Sequence, residues 1–427
     1  MTKGASTRIS ELSSIISSAT SKFDGYLSAQ GLPTPSFDPG APPFLPLPPD
    51  VAEAKQLVLE ATDELHALIA GPLGTLFTPY HNHLISLHAI NRFEIAKSFD
   101  FEATYDEIAL SCGLNEFDVR RLLRTAMTYH IFHEPRPGVV AHTAASKFLA
   151  VAPGMEDSIA LITEENWTSA SKVVDAMIKW PGSQEPNQAG FQLANGTSES
   201  LFACLAKDPA RAGRFANAMA NLAQDPGFSP EHICQNYPWA ELGTATIVDV
   251  GGSSGTFGIA LAEHFPKLKI IVQDRPDVVQ VASKQLPEAL KQQVSFMAHD
   301  FFTEQLVKHA DVYFFKWIFH DWSDKYSIQI LRCLIPALKK GAKIILNEYI
   351  VPQPGEVSLL KEREIRAYDL TMLEMLNAKE REVGDWEKLF NEADPGFRVL
   401  SIKQPPAAKL GIVEAEWVGN EEVNGFH

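Results

Sequence analysis

Cysteine is scarce and dispersed: Cys112, Cys204, Cys234 and Cys333 are the only four in 427 residues. No two lie close enough to propose a zinc knuckle or a disulfide framework, so reduced thiols in a cytosolic protein are expected. Positive charge is also short. Lys and Arg number 37 against 53 Asp and Glu, a formal charge of −16, which opposes nucleic-acid binding because phosphate contacts need clustered cations. No apolar run approaches the roughly 18–20 residues of a membrane span, and the first residues lack the apolar core of a secretion signal. No His, Asp or Glu spacing demands a metal. A cytoplasmic protein with no membrane, nucleic-acid or metal partner is expected. Hydrophobic residues at 45% and charged residues at 21% fit a globular enzyme, and the length suffices for two domains.

What is present divides the chain. Residues 1–31 carry a weak helical pattern (Ile9, Leu12, Ile15, Ile16, Phe23), and residues 32–49 hold eight prolines, which predicts an extended tether. Residues 1–49 are therefore an arm and tether. Asp50 and Glu53 start a helix that should end at Gly71-Pro72, and a second should span about 79–98. Residues 104–142 read as a winged helix: Thr104 and Glu107 cap one short helix, Cys112-Gly113-Leu114 turns the chain, and Asn115 caps the next. Two short strands follow around Pro135-Arg136-Pro137-Gly138. Arg120, Arg121 and Arg124 are interrupted by Glu116 and Asp118, so residues 50–150 form an interaction domain and not a DNA reader. Residues 151–240 are mainly helical. From 241 to 427, strands at 246–250, 269–273, 294–298, 311–316 and 342–347 alternate with helices at 254–265, 276–284, 324–338 and 362–377. This predicts a parallel sheet covered on both faces. Phe397–Lys403 and Leu410–Trp417 leave no room for a crossover helix and predict a closing antiparallel hairpin.

The first of these strands, Thr246-Ile-Val-Asp-Val, runs into Gly251-Gly252-Ser253-Ser254-Gly255. Glycines let backbone approach a ligand where a Cβ would collide. Asp274 ends the next strand about 20 residues on, the spacing at which a carboxylate reaches a ribose hydroxyl. The pair predicts a bound nucleoside-containing small molecule.

A parallel sheet finished by an antiparallel hairpin, with Val-Asp-Val-Gly-Gly-x-x-Gly, resembles the class I methyltransferases that use S-adenosyl-L-methionine. Phe315-Lys316-Trp317-Ile318-Phe319-His320-Asp321-Trp322-Ser323-Asp324 is similar to the signature of plant-type and fungal O-methyltransferases acting on phenols, as are Asn347-Glu348-Tyr349 and Lys379-Glu380-Arg381. The resemblance covers about residues 55–417. It implies an α/β fold with a Rossmann-like sheet, preceded by an all-helical, winged-helix dimerisation domain, and a homodimer.

Strand ends at the carboxyl edge of such a sheet converge on one crevice. There Asp249 closes the first strand, Gly251, Gly252 and Gly255 floor the cofactor, and Asp274 would hold the ribose. Asp300 and Phe301 would meet the adenine, and Lys316 and Trp322 would complete the wall. Ser253 and Ser254 stand where relatives often have glycine, which predicts altered detail without lost binding. A phenol of pKa about 10 is mostly protonated near neutrality, and a histidine can take its proton as the methyl group moves. By resemblance that base is His320, flanked by Glu348 and Glu380, one orienting the ring and both favouring the imidazolium. Phe215 and Met219 match positions that line the acceptor pocket, between the helical region and the sheet, and Met372 and Met375 are further candidates. The expected acceptor is a hydroxylated aromatic or polyketide-type secondary metabolite. An alternative on the same scaffold is an S-adenosylmethionine-dependent pericyclase or dehydratase that transfers no methyl group. Retention of His320, Glu348 and Glu380 favours methylation.

Overall fold

Thr246-Ile-Val-Asp-Val forms a strand because both of its faces are covered, and alternate residues feed two different cores. The computed structural model describes residues 6–419. Their contacts divide into two units. The first comprises the described residues to Trp167 with Ala210–Asn221 and Ser358–Arg363. The second comprises Thr168–Pro209, Leu222–Val357 and the described residues from Glu364.

In the first unit, the helix Arg8–Gln30 starts where the Thr7 hydroxyl oxygen accepts the Ser10 amide, and it ends at Gly31 in the left-handed region. The helical span Pro49–Leu76 breaks at Gly71 (φ 66°, ψ −174°) and then resumes. The sequence predicts an end there. Pro72 instead occupies the first turn of a new segment, where its missing N–H costs nothing. The guanidinium of Arg8 donates two 2.6 Å bonds to Glu64 and joins the two spans. The next helix is shorter than the expected 79–98: Tyr80–Arg92 gives way to a 3-10 turn at Ile95–Lys97 after Glu94 takes φ 50°. A capping box of Thr104 and Glu107 starts Tyr105–Cys112, and Asn115 caps Glu116–Met127. Strands β1 (Glu102–Thr104), β2 (His133–Arg136) and β3 (Val139–Ala141) form an antiparallel sheet in the order β1-β3-β2. Ile90, Ile108, Val119, Leu123, Phe132 and Val140 make the core.

The second unit holds a seven-stranded sheet. Its strands are β4 (Thr246–Val250), β5 (Lys269–Asp274), β6 (Val294–Ala298), β7 (Val312–Lys316), β8 (Lys343–Glu348), β11 (Phe397–Lys403) and β12 (Gly411–Trp417). Two further short strands, β9 (Ile350–Val351) and β10 (Arg381–Glu382), pair with each other in parallel. The large sheet has the order β11-β12-β8-β7-β4-β5-β6, with β4 to β8 parallel and β12 antiparallel to both neighbours. Val248, Val250, Tyr313, Phe315, Ile344 and Leu346 join one core with Trp386 and Phe390. Ile247, Val312, Phe314, Ile345, Ile270 and Val272 join another with Phe257 and Trp239. Helices therefore cover both faces, as expected for β-branched strands separated by amphipathic segments. The predicted hairpin is present at the sheet edge.

Candidate functional site

Strand β4 ends at Val250, and the chain then turns on glycine. Gly251 (φ 75°) and Gly252 both donate their N–H to the carbonyl of Gln273, at 2.8 and 3.0 Å. A Cβ on Gly251 would lie 2.4 Å from Ile318 Cδ1, one on Gly252 would lie 2.4 Å from Asp249 Oδ2, and one on Gly255 would lie 2.8 Å from Phe296 Cζ. These three positions exclude any side chain and leave bare backbone at the sheet's carboxyl edge. Gly255 (φ 79°) also precedes the helix Thr256–His264, whose free N–H groups favour an electron-rich ligand. Ser253 adopts φ 51°, a left-handed conformation that glycine would hold without strain.

Asp274 bounds the turn. Its Oδ2 accepts Ser253 N and its Oδ1 accepts Arg275 N, both at 2.8 Å, so it is half-buried with lone pairs left for hydroxyl donors. Asp300 is exposed and accepts Phe302 N at 2.9 Å. Phe301 lies 3.8 Å from the Gly251 Cβ position, and its ring meets Trp322 edge-on at 6.2 Å. Gly251, Phe301, Ile318 and Trp322 are thus brought into one neighbourhood. Asp249 lies beneath the turn, 1% exposed, with Oδ2 lacking a partner. Burial pushes its carboxyl up to about 7, against the opposing pull of Lys316. The Lys316 ammonium donates to Phe228 O at 2.9 Å, and burial lowers its pKa. Both side chains face the interior behind the loop.

Strand β7 delivers the reactive segment. Trp317 takes φ 54°, an outlying conformation for so bulky a residue, and turns the chain into a 3-10 segment, Phe319–Asp321. Glu348, the last residue of the adjacent β8, accepts Ile318 N and Phe319 N on Oε1, each at 2.9 Å. The β9–β10 pairing places Arg381 opposite Ile350 and so brings Glu380 beside the end of β8. His320 Nδ1 then meets Glu380 Oε1 at 2.9 Å, while Nε2 lies 3.5 Å from Asp321 Oδ1. The Glu380 side chain is sealed, whereas the His320 imidazole keeps 15% of its surface open. His320, Glu348 and Glu380 are the one His/acid group among the described residues whose ligand-type atoms lie within 4.8 Å of one another. Burial alone would lower the imidazole pKa; Glu380, Asp321 and Glu348 reverse this and raise it to about 10. Burial pushes Asp321 up to about 6, against the pull of His320.

Three contributors carry no role in the sequence reading. Asp321 follows the histidine directly and faces its other nitrogen. Asp369 accepts the Glu380 amide at 2.9 Å. Arg381 is fully buried and donates to Phe319 O, Trp322 O, Ser327 Oγ and Asp324, clamping both ends of the turn that carries His320. Of the proposed acceptor-contact residues, Met375 is buried and Met372 half-buried on the helix Leu359–Leu376. Phe215 and Met219 are half-buried on Pro209–Leu222, within the stretch that belongs to the first unit.

Residues 179–398 match the family model of the O-methyltransferase domain. The chain is 42% identical over 96% of its length to a grayanic acid biosynthesis cluster O-methyltransferase of Cladonia grayi, of which it covers 88%. It is 36% identical over 97% of its length to a chlorophenol O-methyltransferase of Trichoderma longibrachiatum, of which it covers 91%. Among solved structures, OxaC in complex with SAH and oxaline superposes with a TM-score of 0.73 at 22% identity, covering 95% of this chain and 99% of its own. A pericyclic reaction enzyme superposes with a TM-score of 0.68 at 21% identity, covering 95% of this chain and 99% of its own. At these identities the two structures share the fold.

Proposed function

The chain belongs to the O-methyltransferase family, and from that premise we propose that it methylates a hydroxyl of an aromatic or polyketide-type metabolite, with His320 as proton acceptor and S-adenosylmethionine as donor. The observation that carries this reading is the 2.9 Å contact between His320 Nδ1 and Glu380. It leaves Nε2 as the nitrogen that can take a proton, on a turn packed against Gly251 through Ile318. Gly251, Gly252, Gly255, Asp274, Asp300 and Phe301 would hold the cofactor, and the cradle that no Cβ could share fits such a ligand. When bound, the cofactor supplies an electrophilic methyl group. Glu380 fixes the ring tautomer, and the surrounding acids stabilise the imidazolium that forms. An imidazole raised to about 10 nearly matches a phenol of about 10, so the proton passes with little uphill cost.

Mass spectrometry of the product tests the reaction class. A gain of one CH₂ unit with cofactor consumed is the expected result, and an unchanged or dehydrated mass with cofactor retained would establish the pericyclic or dehydrative alternative. The curated relatives named above are methyltransferases, which supports the first outcome.

Two further results are expected. The active cluster must lose a proton before it can accept one, and a raised pKa moves that loss to higher pH. The acid limb of log kcat/KM should therefore lie above the ordinary imidazole value of about 6.5. Asp321→Asn removes one acid that raises His320 and should move the limb downward; a limb unmoved in that variant would contradict the electrostatics. At the cofactor turn, Gly252→Val forces branched carbons against Asp249 and Val272. It should cost about 1–3 kcal/mol by overpacking and weaken S-adenosylhomocysteine binding at least about tenfold, measured by calorimetry. Gly384→Ala, which meets nothing within 4 Å, is the control.

We also propose a homodimer built on a winged-helix first unit. Ile69, Leu73, Leu76 and Phe77 are 67–79% exposed on one stretch, more apolar surface than a free helix end needs, and a second copy would cover them. Light scattering should give twice the chain mass. Arg120, Arg121 and Arg124 are paired with Glu116, Asp118 and Glu134, which supports a protein-facing and not a DNA-facing role.

A further inference from the structure

The cluster around His320 contains more acid than its single imidazolium can balance. Glu348 spends one carboxylate oxygen on the Ile318 and Phe319 amides. Its other oxygen is buried without a partner, and so is the second oxygen of Glu380. Asp321 approaches the imidazole from the opposite nitrogen. The nearest fixed cations are engaged elsewhere: Arg381 with Asp324 and with backbone carbonyls, and Lys379 with Asp324 and Asp385. Asp369 and Tyr349 also face Glu380, and neither brings positive charge. Two carboxylates this close, both sealed from water, do not both ionise at a cost that folding tolerates.

The members of the group are not equivalent. Glu380 faces the imidazolium directly at 2.9 Å, so its charge is compensated. Asp321 keeps 23% of its side chain open to solvent. Glu348 has only amide donors, and both go to one oxygen. A neutral acid's carbonyl oxygen has two lone pairs and accepts both amides, leaving the hydroxyl on the orphaned side, in a group whose ligand-type atoms lie within 4.8 Å of one another.

We infer that Glu348 is the protonated carboxylic acid of the cluster and acts as a positioning residue. Its carbonyl oxygen holds the turn that carries His320, and its hydroxyl donates to Glu380. Burial pushes this carboxyl up to about 7, with His320 opposing and Glu380 adding to the rise. The inference rests on the reading of His320 as proton acceptor and departs from the expectation that both glutamates serve as anions. In this arrangement Glu380 is the one of the two glutamates that supplies formal charge to the imidazolium.

Infrared difference spectroscopy on the full chain tests it without a methyl acceptor. The wild-type minus Glu348→Gln spectrum, at mildly acidic to neutral pH, should show the carbonyl stretch of a protonated carboxyl that shifts downward in heavy water. A difference containing only carboxylate stretches would overturn the inference. If Glu348 variants fail to fold, Glu380→Gln provides the second reading: the protonated-carboxyl band should remain and move to the frequency of a weaker hydrogen bond, and an unmoved band would overturn the inference equally. Glutamine can mimic the neutral acid, so turnover on a phenol of ordinary acidity should fall at least about tenfold less in Glu348→Gln than in Glu348→Ala or Glu380→Gln. Equal losses would count against it. Absence of turnover in the wild type on every phenol would overturn the proposed reaction, whereas the infrared band reports on Glu348 alone.

Discussion

His320→Ala should lower turnover on a phenol of ordinary acidity by about 10²–10⁴-fold, the range lost when a positioned general base is removed. The affinity for S-adenosylhomocysteine should stay near that of the wild type, because the glycine cradle follows β4 and Asp274 ends β5, whereas the imidazole lies on the turn after β7. The size of the loss should depend on the acceptor. A strongly chlorinated phenol arrives already ionised and needs no base, so the same substitution should cost it far less. Comparing two phenols of different acidity by initial rate separates proton removal from simple damage to the pocket, which would penalise both alike. Retention of activity within a few fold on the less acidic phenol would remove His320 from the mechanism.

Arg381→Leu should be the most destabilising single change in the second unit's site. The guanidinium is fully buried and donates to four groups, and it stacks over Trp386 at 5.2 Å. Leucine matches part of the volume and none of the donors. It strips the guanidinium from Phe319 O, Trp322 O and Ser327 Oγ, leaving Phe319 O the Trp322 amide and Trp322 O the Ser327 hydroxyl, each at 3.3 Å, and breaking such a buried network costs about 3–5 kcal/mol. Urea unfolding should show the unfolding free energy falling by that amount, read as a lower midpoint at unchanged slope. Activity in the folded fraction should fall as well, because the released carbonyls flank His320. Arg381→Lys should recover only part of the loss, since one ammonium cannot span the positions that the planar fork reaches. The exposed pair Arg398–Glu416 is the contrast: its removal should cost under about 1 kcal/mol.

The sheet was legible because its strands are short β-branched runs bounded by glycine and aspartate, and because residues 397–417 leave no length for a crossover. The glycine turn was legible for a similar reason: it sits where a strand ends, and strand ends converge, whereas His320 was reached by family resemblance. The β9–β10 pairing was not legible. Two-residue strands have no period, and Lys379-Glu380-Arg381 was placed at the site by family resemblance, with no sign of the pairing that draws it in. The same pairing hides the function of Arg381, whose partners lie about 55–60 positions away in sequence. The resumption of helix after Gly71-Pro72 was missed because both residues signal a stop, and only the backbone angles show a restart. Asp321 stood in plain view beside His320, but sequence adjacency does not tell which nitrogen of a ring a neighbouring carboxylate will face.

Strand β12 is inserted between β8 and β11, and its first residue, Gly411, lies opposite Glu348 in the register. A Cβ there would sit 2.3 Å from Ile350. The wall behind Glu348 is thus supplied by the closing hairpin and not by the parallel strands that carry the other strand-end residues. A variant truncated before Gly411 keeps the glycine cradle yet exposes the open flank of β8, so it should bind nucleoside weakly and turn nothing over.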